Sequence, residues 1–133
     1  MYIKWDESLS VGIQEIDDQH KELFDRINHL LRTIGELHAQ GELKKTLDFM
    51  EEYALLHFGA EEEQMILTNY GGYGEHKGQH DHMRDEISGL RARLDAEGPN
   101  EKLLVDAQEL LVDWLQKHIK SIDMKMARHL KSL

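Results

Sequence analysis

Apolar residues recur every three or four positions along four stretches of the chain. One stripe is Leu23/Phe24, Ile27, Leu30/Leu31 and Ile34, and a second is Leu43, Leu47, Met50 and Ala54. Met83, Ile87, Leu90 and Leu94 make a third, and Leu104, Ala107, Leu111 and Trp114 a fourth. That spacing puts each set on one face of an α-helix. Helix breakers fall between the stripes, at Gly41, within Thr68–Gly74 and at Gly98-Pro99. The pattern predicts helices over about 18–38, 43–67, 75–95 and 101–118, with a helical tail near 121–131. No stretch alternates as a strand would. Short connections make successive helices antiparallel, so the expected fold is all-α, an up-down-up-down four-helix bundle. An N-terminal extended segment precedes the bundle and the short tail follows it. A length of 133 residues fits a single domain over 1–133.

Composition narrows the function classes. A charged share of 32% and a hydrophobic share of 40% describe a globular chain rather than a disordered one. Cysteine is absent, which excludes disulfides, thiolate metal sites and cysteine nucleophiles. The longest apolar run is Tyr53–Leu56, far short of a membrane span of about 20 residues. Asp6 and Glu7 interrupt the N-terminus, so no secretory signal is read and a cytoplasmic location is expected. A net charge of −10 repels phosphate backbones and anionic lipid, so neither nucleic acid nor membrane is an expected partner. The nine histidines are many for this length.

Several of those histidines continue the apolar stripes. The first stripe leads back to His20, and the second leads on to His57 and Glu61. The third leads back to His80 and His76, and the fourth on to His118. His20 and His76/His80 start their helices while His57/Glu61 and His118 end theirs, so an antiparallel bundle brings all of them to one level. Asp123, five residues past His118, joins the set. His57/Glu61 and His76/His80 are i,i+4 pairs that face one way on a helix. A lone imidazole on a seam is usually a satisfied core residue, but a whole level of ligand-type groups reads as a metal site. Imidazole suits iron, copper, zinc and nickel, and carboxylates bridge hard ions. Seven ligands exceed one octahedral site, so two metals are expected. His29, His82 and His129 fall off the stripes and are assigned to the surface, as is Glu63. His38 lies at the far end of its helix, and Glu62 sits on the neighbouring face of its own. Five residues at 3.6 per turn rotate by roughly 140°, so a regular helix cannot aim both His118 and Asp123 inward. A break in regular α-helical bonding is therefore expected between them, with Ser121 solvated.

The same residues resemble the hemerythrin family, particularly its single-domain bacterial members. The likeness runs from Trp5 and Val11-Gly12 through Ile16-Asp17-Asp18-Gln19-His20 to His57-Phe58-Gly59-Ala60-Glu61-Glu62 and Met65. It continues in His76-Lys77-Gly78-Gln79-His80 and in Trp114-Leu115-Gln116-Lys117-His118-Ile119 with Asp123. The chain departs from the family in Tyr70-Gly71-Gly72-Tyr73, which lacks a proline often found there, and at Met83, where many relatives carry an aromatic. The resemblance implies two iron ions (Fe2+/Fe3+) with a bridging oxo or hydroxo group. His76, His80 and His118 would hold one iron and His20 and His57 the other, with Glu61 and Asp123 bridging. Counting ligands then leaves an open position only on the His20/His57 iron, where dioxygen would bind. Leu115 matches a family position lining the oxygen pocket, and Leu23, Phe24, Phe58 and Ile119 join it from spacing.

The resulting expectation is a non-enzymatic protein of oxygen transport, storage or sensing, with dioxygen as its partner. The alternative is a di-iron oxidase, a ferroxidase, or an enzyme scavenging peroxide or nitric oxide. Carboxylate-rich di-iron enzymes are built on Glu-x-x-His motifs, and none occurs among these ligands. A sensor module working through a separate partner is a third reading.

Overall fold

The computed structural model describes residues 3–33 and 39–133, without the side chains of residues 33, 39 and 40. Ile34, His38 and the expected end of the first helix lie outside the described residues. Helix α1 spans Gln14–Thr33, beginning four residues earlier than the stripe predicts. The second bundle helix is α2, Ala39–Tyr53, a π-helical segment, Ala54–Phe58, and α3, Gly59–Leu67. Helix α4 spans Tyr73–Glu97. The fourth bundle helix is α5, Glu101–Lys117, a second π-helical segment, His118–Asp123, and α6, Met124–Lys131. The expected tail is thus the continuation of α5.

Both ends of the α4–α5 connection follow local chemistry. Gly98 takes φ 75°, a left-handed value that glycine adopts without steric cost, and closes α4. Asn100 caps α5 by accepting from the Leu103 N–H at 2.8 Å.

Helix α1 packs on α2 and α5, and α4 packs on the same two, so the four bundle helices form a ring. Cross-links fix the antiparallel sense. Arg91, late in α4, pairs with Asp48 and Glu51 early in the second helix, while Arg84, nearer the α4 start, reaches Glu62 of α3. The stripes meet in the centre. Leu23, Ile27, Leu30, Leu43, Leu47, Met50, Met83, Ile87 and Leu111 are all buried in one cluster, with Leu31 and Trp114 at its margin.

A second, smaller cluster closes the end that carries His20, His57, His76 and His118. Val11, Ile16, Met65, Met126 and Ala127 are buried there, beneath Ile13, Tyr70 and Tyr73. The N-terminal arm is tied down by polar anchors. Asn28 bonds both backbone groups of Ile3, at 2.8 and 2.7 Å, and Asp17 accepts from Ser10 Oγ and the Val11 N–H. A Cβ at Gly72 would lie 2.6 Å from the end of the Tyr70 ring, so any larger residue would displace that ring. His129 corrects its expected surface position: it is half-buried, bonds the Thr68 carbonyl at 3.1 Å, and sits against the Tyr70 ring. It pins α6 to the loop after α3.

Replacing Leu47, fully buried, with Ala should cost about 2–5 kcal/mol in urea unfolding. The same change at exposed Leu56 should stay within about 0.5 kcal/mol.

Candidate metal centre

Between the two apolar clusters lies a polar level. His20, His57, Glu61, His76, His80, His118 and Asp123 are each at most 3% exposed. Their ligand-type atoms form two groups that share both carboxylates. One comprises His76, His80, His118, Glu61 and Asp123, and the other His20, His57, Glu61 and Asp123. Every imidazole points Nε2 inward. Asp123 lies 3.0 Å from His76 and His118 and 3.2 Å from His20, and Glu61 lies 2.8 Å from His57 and 3.6 Å from His80. Yet among the described residues both oxygens of Glu61 and Asp123, and Nε2 of His76, His80 and His118, make no hydrogen bond. Buried polar atoms in that state cost about 1–3 kcal/mol each. Lone pairs converging on one space are the donor set of a cation.

The π-helical segments carry three of these groups, His57, His118 and Asp123. Bonding from i to i+5 fits one extra residue into a turn, and such turns recur at functional sites. In His118–Asp123 the wide turn spans the interval that a regular helix could not, and both side chains are buried. The break expected there takes this form, with Ser121 exposed. The segment at Ala54–Phe58 was not expected. It buries Ala54, His57 and Phe58 after Tyr53, so adjacent residues face inward together.

Three imidazoles are oriented from behind. His80 donates from Nδ1 to Glu62 at 2.8 Å, His118 donates to Gln79 Oε1 at 3.0 Å, and His57 donates to Gln19 Oε1. Arg84 donates to the same Glu62 oxygen at 2.8 Å and bonds Asp81, leading the network to the surface. An acceptor on Nδ1 fixes the tautomer that leaves the Nε2 lone pair inward, the usual support of a metal-ligating histidine.

The pattern has known counterparts. The family model described as Hemerythrin HHE cation binding domain matches residues 11–130. The chain belongs to the hemerythrin family. It is 34% identical over 121 residues to myohemerythrin of Sipunculus nudus, covering 91% of this chain and 88% of that protein. Bacteriohemerythrin of Methylococcus capsulatus is 32% identical over 107 residues, 80% of this chain and 79% of its own. A crystal structure of wild-type hemerythrin superposes with a TM-score of 0.85 at 27% identity, covering 98% of both chains. No described helix of the chain is long and apolar enough to cross a membrane.

The fold brings all seven expected ligand residues together. Leu23, Phe24, Phe58, Leu115 and Ile119 are buried in the main apolar cluster. Phe58 lies flat on His80, with ring centres 4.0 Å apart. His29, His82 and Glu63 are exposed as expected. Glu62 lies behind His80, and Met83 is fully buried. Sequence reasoning assigned no role to Gln19, Gln79 or Tyr53. The two glutamines stand next to His20 and His80 but serve His57 and His118 on other helices. Adjacency in sequence was the available signal. Tyr53 stacks on His57 at 4.5 Å with a buried hydroxyl that has no hydrogen-bond partner among the described residues; in the sequence it is only part of an apolar run.

Burial shapes the electrostatics. It pushes the His57 imidazole down to about 4 and His80 to about 2, and lowers His118 as well. Burial, then repulsion from Asp123, drives Glu61 well above its ordinary value. Burial opposes the charge of Asp123 too, but the surrounding imidazoles, His118 foremost, hold it well below. The three lowered imidazoles stay neutral in the fold and protonate on unfolding, so the unfolded chain binds more protons below their ordinary value of 6.5. Glu61 opposes with a single proton taken up by the fold. The metal-free protein should therefore lose stability as pH falls from 6.5 towards about 4. Urea unfolding at constant ionic strength reads this directly; a flat or rising trend would mean the imidazoles are charged in the fold.

Proposed function

We propose that this chain binds dioxygen reversibly at a non-heme di-iron centre, serving oxygen transport, storage or sensing. The observation that carries the reading is the pair of ligand groups sharing Glu61 and Asp123. The donor set fits two irons, because the orphaned carboxylate oxygens face both groups at once. His76, His80 and His118 would hold one iron, His20 and His57 the other, and Glu61, Asp123 and a solvent-derived oxo or hydroxo group would bridge. A pair of ferrous ions supplies the two electrons that reversible oxygen binding draws on.

The protein's own residues do the rest. One group would offer its metal three imidazoles and the other only two, with Glu61 and Asp123 open to both. That asymmetry directs a small ligand to the side of His20 and His57. Leu23, Phe24, Phe58, Leu115 and Ile119 keep bulk water from the site. Neutral imidazoles favour the ferrous state over the high-valent chemistry of carboxylate-rich oxidases.

The relatives named as hemerythrins support a carrier rather than an enzyme. Spectra of the reduced, oxygenated and deoxygenated protein test this. A change that reverses when oxygen is removed is the expected result; steady consumption of peroxide or nitric oxide without a reversible adduct would install the enzymatic alternative.

Iron-replete expression should give two irons per chain by metal quantification. One iron, or full zinc occupancy despite excess iron, would contradict the centre, since zinc competes for such ligands. His118→Ala should lose iron and lower the melting temperature, whereas His29→Ala, at an exposed position, should change neither.

A further inference from the structure

The chain is strongly acidic, but its C-terminal stretch is not. Between Lys117 and Lys131, Lys117, Lys120, Lys125, Arg128 and Lys131 are basic, and the only acid is Asp123. The π-helical turn that carries Asp123 into the interior leaves Lys120 and Ser121 outside. The stretch itself thus puts no acid on the surface, by the same backbone feature that completes the candidate centre.

Lys117, Lys120, Ser121, Lys125 and Arg128 line a groove of about 680 Å³. Lys117, Lys120 and Arg128 have no ion pair among the described residues; Lys125 lies 3.5 Å from Glu75, and Asp6 lies near Lys120. A neighbouring groove of about 510 Å³ shares Lys117 and Ser121, carries Glu75 on its lining, and reaches Trp114, Gln79 and His118. The half-buried Trp114 ring stacks on His118 at 4.3 Å and 12°. A π-system therefore runs from the basic face to an imidazole of the centre.

We propose that this face docks an acidic one-electron carrier protein and that Trp114 and His118 conduct its electrons inward. This rests on the di-iron reading. Each docked carrier is oxidised by one electron, and two encounters return two ferric ions to ferrous, rescuing protein that has lost its oxygen-binding state. Positive charge set around an aromatic path complements a small acidic redox protein. A long polyanion would also meet the acidic remainder of the surface, net −10 overall.

The test uses a plant-type [2Fe–2S] ferredoxin as the acidic probe. Calorimetry on the iron-free chain should show binding that weakens with salt. Combining Lys117→Glu, Lys120→Glu and Arg128→Glu should weaken it by about tenfold or more. Lys44→Glu with Lys45→Glu, away from the groove, should leave it unchanged. With iron-loaded, oxidised protein, Trp114→Leu should slow reduction at saturating ferredoxin severalfold with the same affinity, and Trp114→Phe should restore most of the rate. Equal affinity in the parent and the triple variant would overturn the docking face. So would ferredoxin failing to bind while an oligonucleotide or anionic phospholipid vesicle binds through the same residues. A parental reduction rate in Trp114→Leu would overturn the electron path. A chain that never loads iron would refute the di-iron reading, while the iron-free titration would still decide the docking face.

Discussion

A low-dielectric interior resists carboxylates and imidazoles, and this chain collects seven such groups at one level of its core. Left to themselves they cost several kcal/mol, so the rest of the structure has to hold them together against that cost. The long apolar cluster on one side of the level and the smaller one on the other supply the burial that does so. This also explains why the N-terminal arm, the loop after α3 and α6 are tied down by Asn28, Asp17 and His129. Without that cover, one end of the bundle would open the polar level to water.

Antiparallel packing solves half of the placement problem, because it brings starts and ends of helices to the same height. The remaining half is angular. A helix of 3.6 residues per turn presents i and i+4 together, which serves His57/Glu61 and His76/His80 directly. It cannot serve His118 and Asp123, and there the chain changes its helical pitch rather than its ligands. A π-helical turn keeps the backbone bonded while absorbing one residue, so α6 continues where a terminated helix would have had to find new caps.

The bundle was legible because each stripe combines a 3.6-residue period with breakers at its ends, and the described stripe residues lie in the core or at its margin. The level of ligand-type groups was legible for the same reason: His20, His57, His80 and His118 continue the stripes. The turn at His118–Asp123 could be inferred because two inward residues conflicted with regular geometry. No such conflict marks Ala54–Phe58. There His57 and Glu61 already satisfy i,i+4, and only the burial of Tyr53 beside Ala54, a tertiary outcome, reveals the wide turn. His129 was misplaced for a related reason, since its partner Thr68 lies 61 residues away and leaves no periodic trace.

The orienting groups follow a rule that neither periodicity nor composition expresses. Gln19, Glu62 and Gln79 each adjoin a ligand-type residue in sequence, yet each accepts from an imidazole on another helix. Neighbours on one helix differ by about 100° in direction. The residue beside an inward group therefore faces the seam with the adjacent helix, which is where the back of that helix's imidazole lies. One helix thus contributes a ligand-type group to the centre and an acceptor to its neighbour. Shifting a helix along its axis would misplace both at once. The polar level is held in register by this cross-bracing as well as by the apolar packing above and below it.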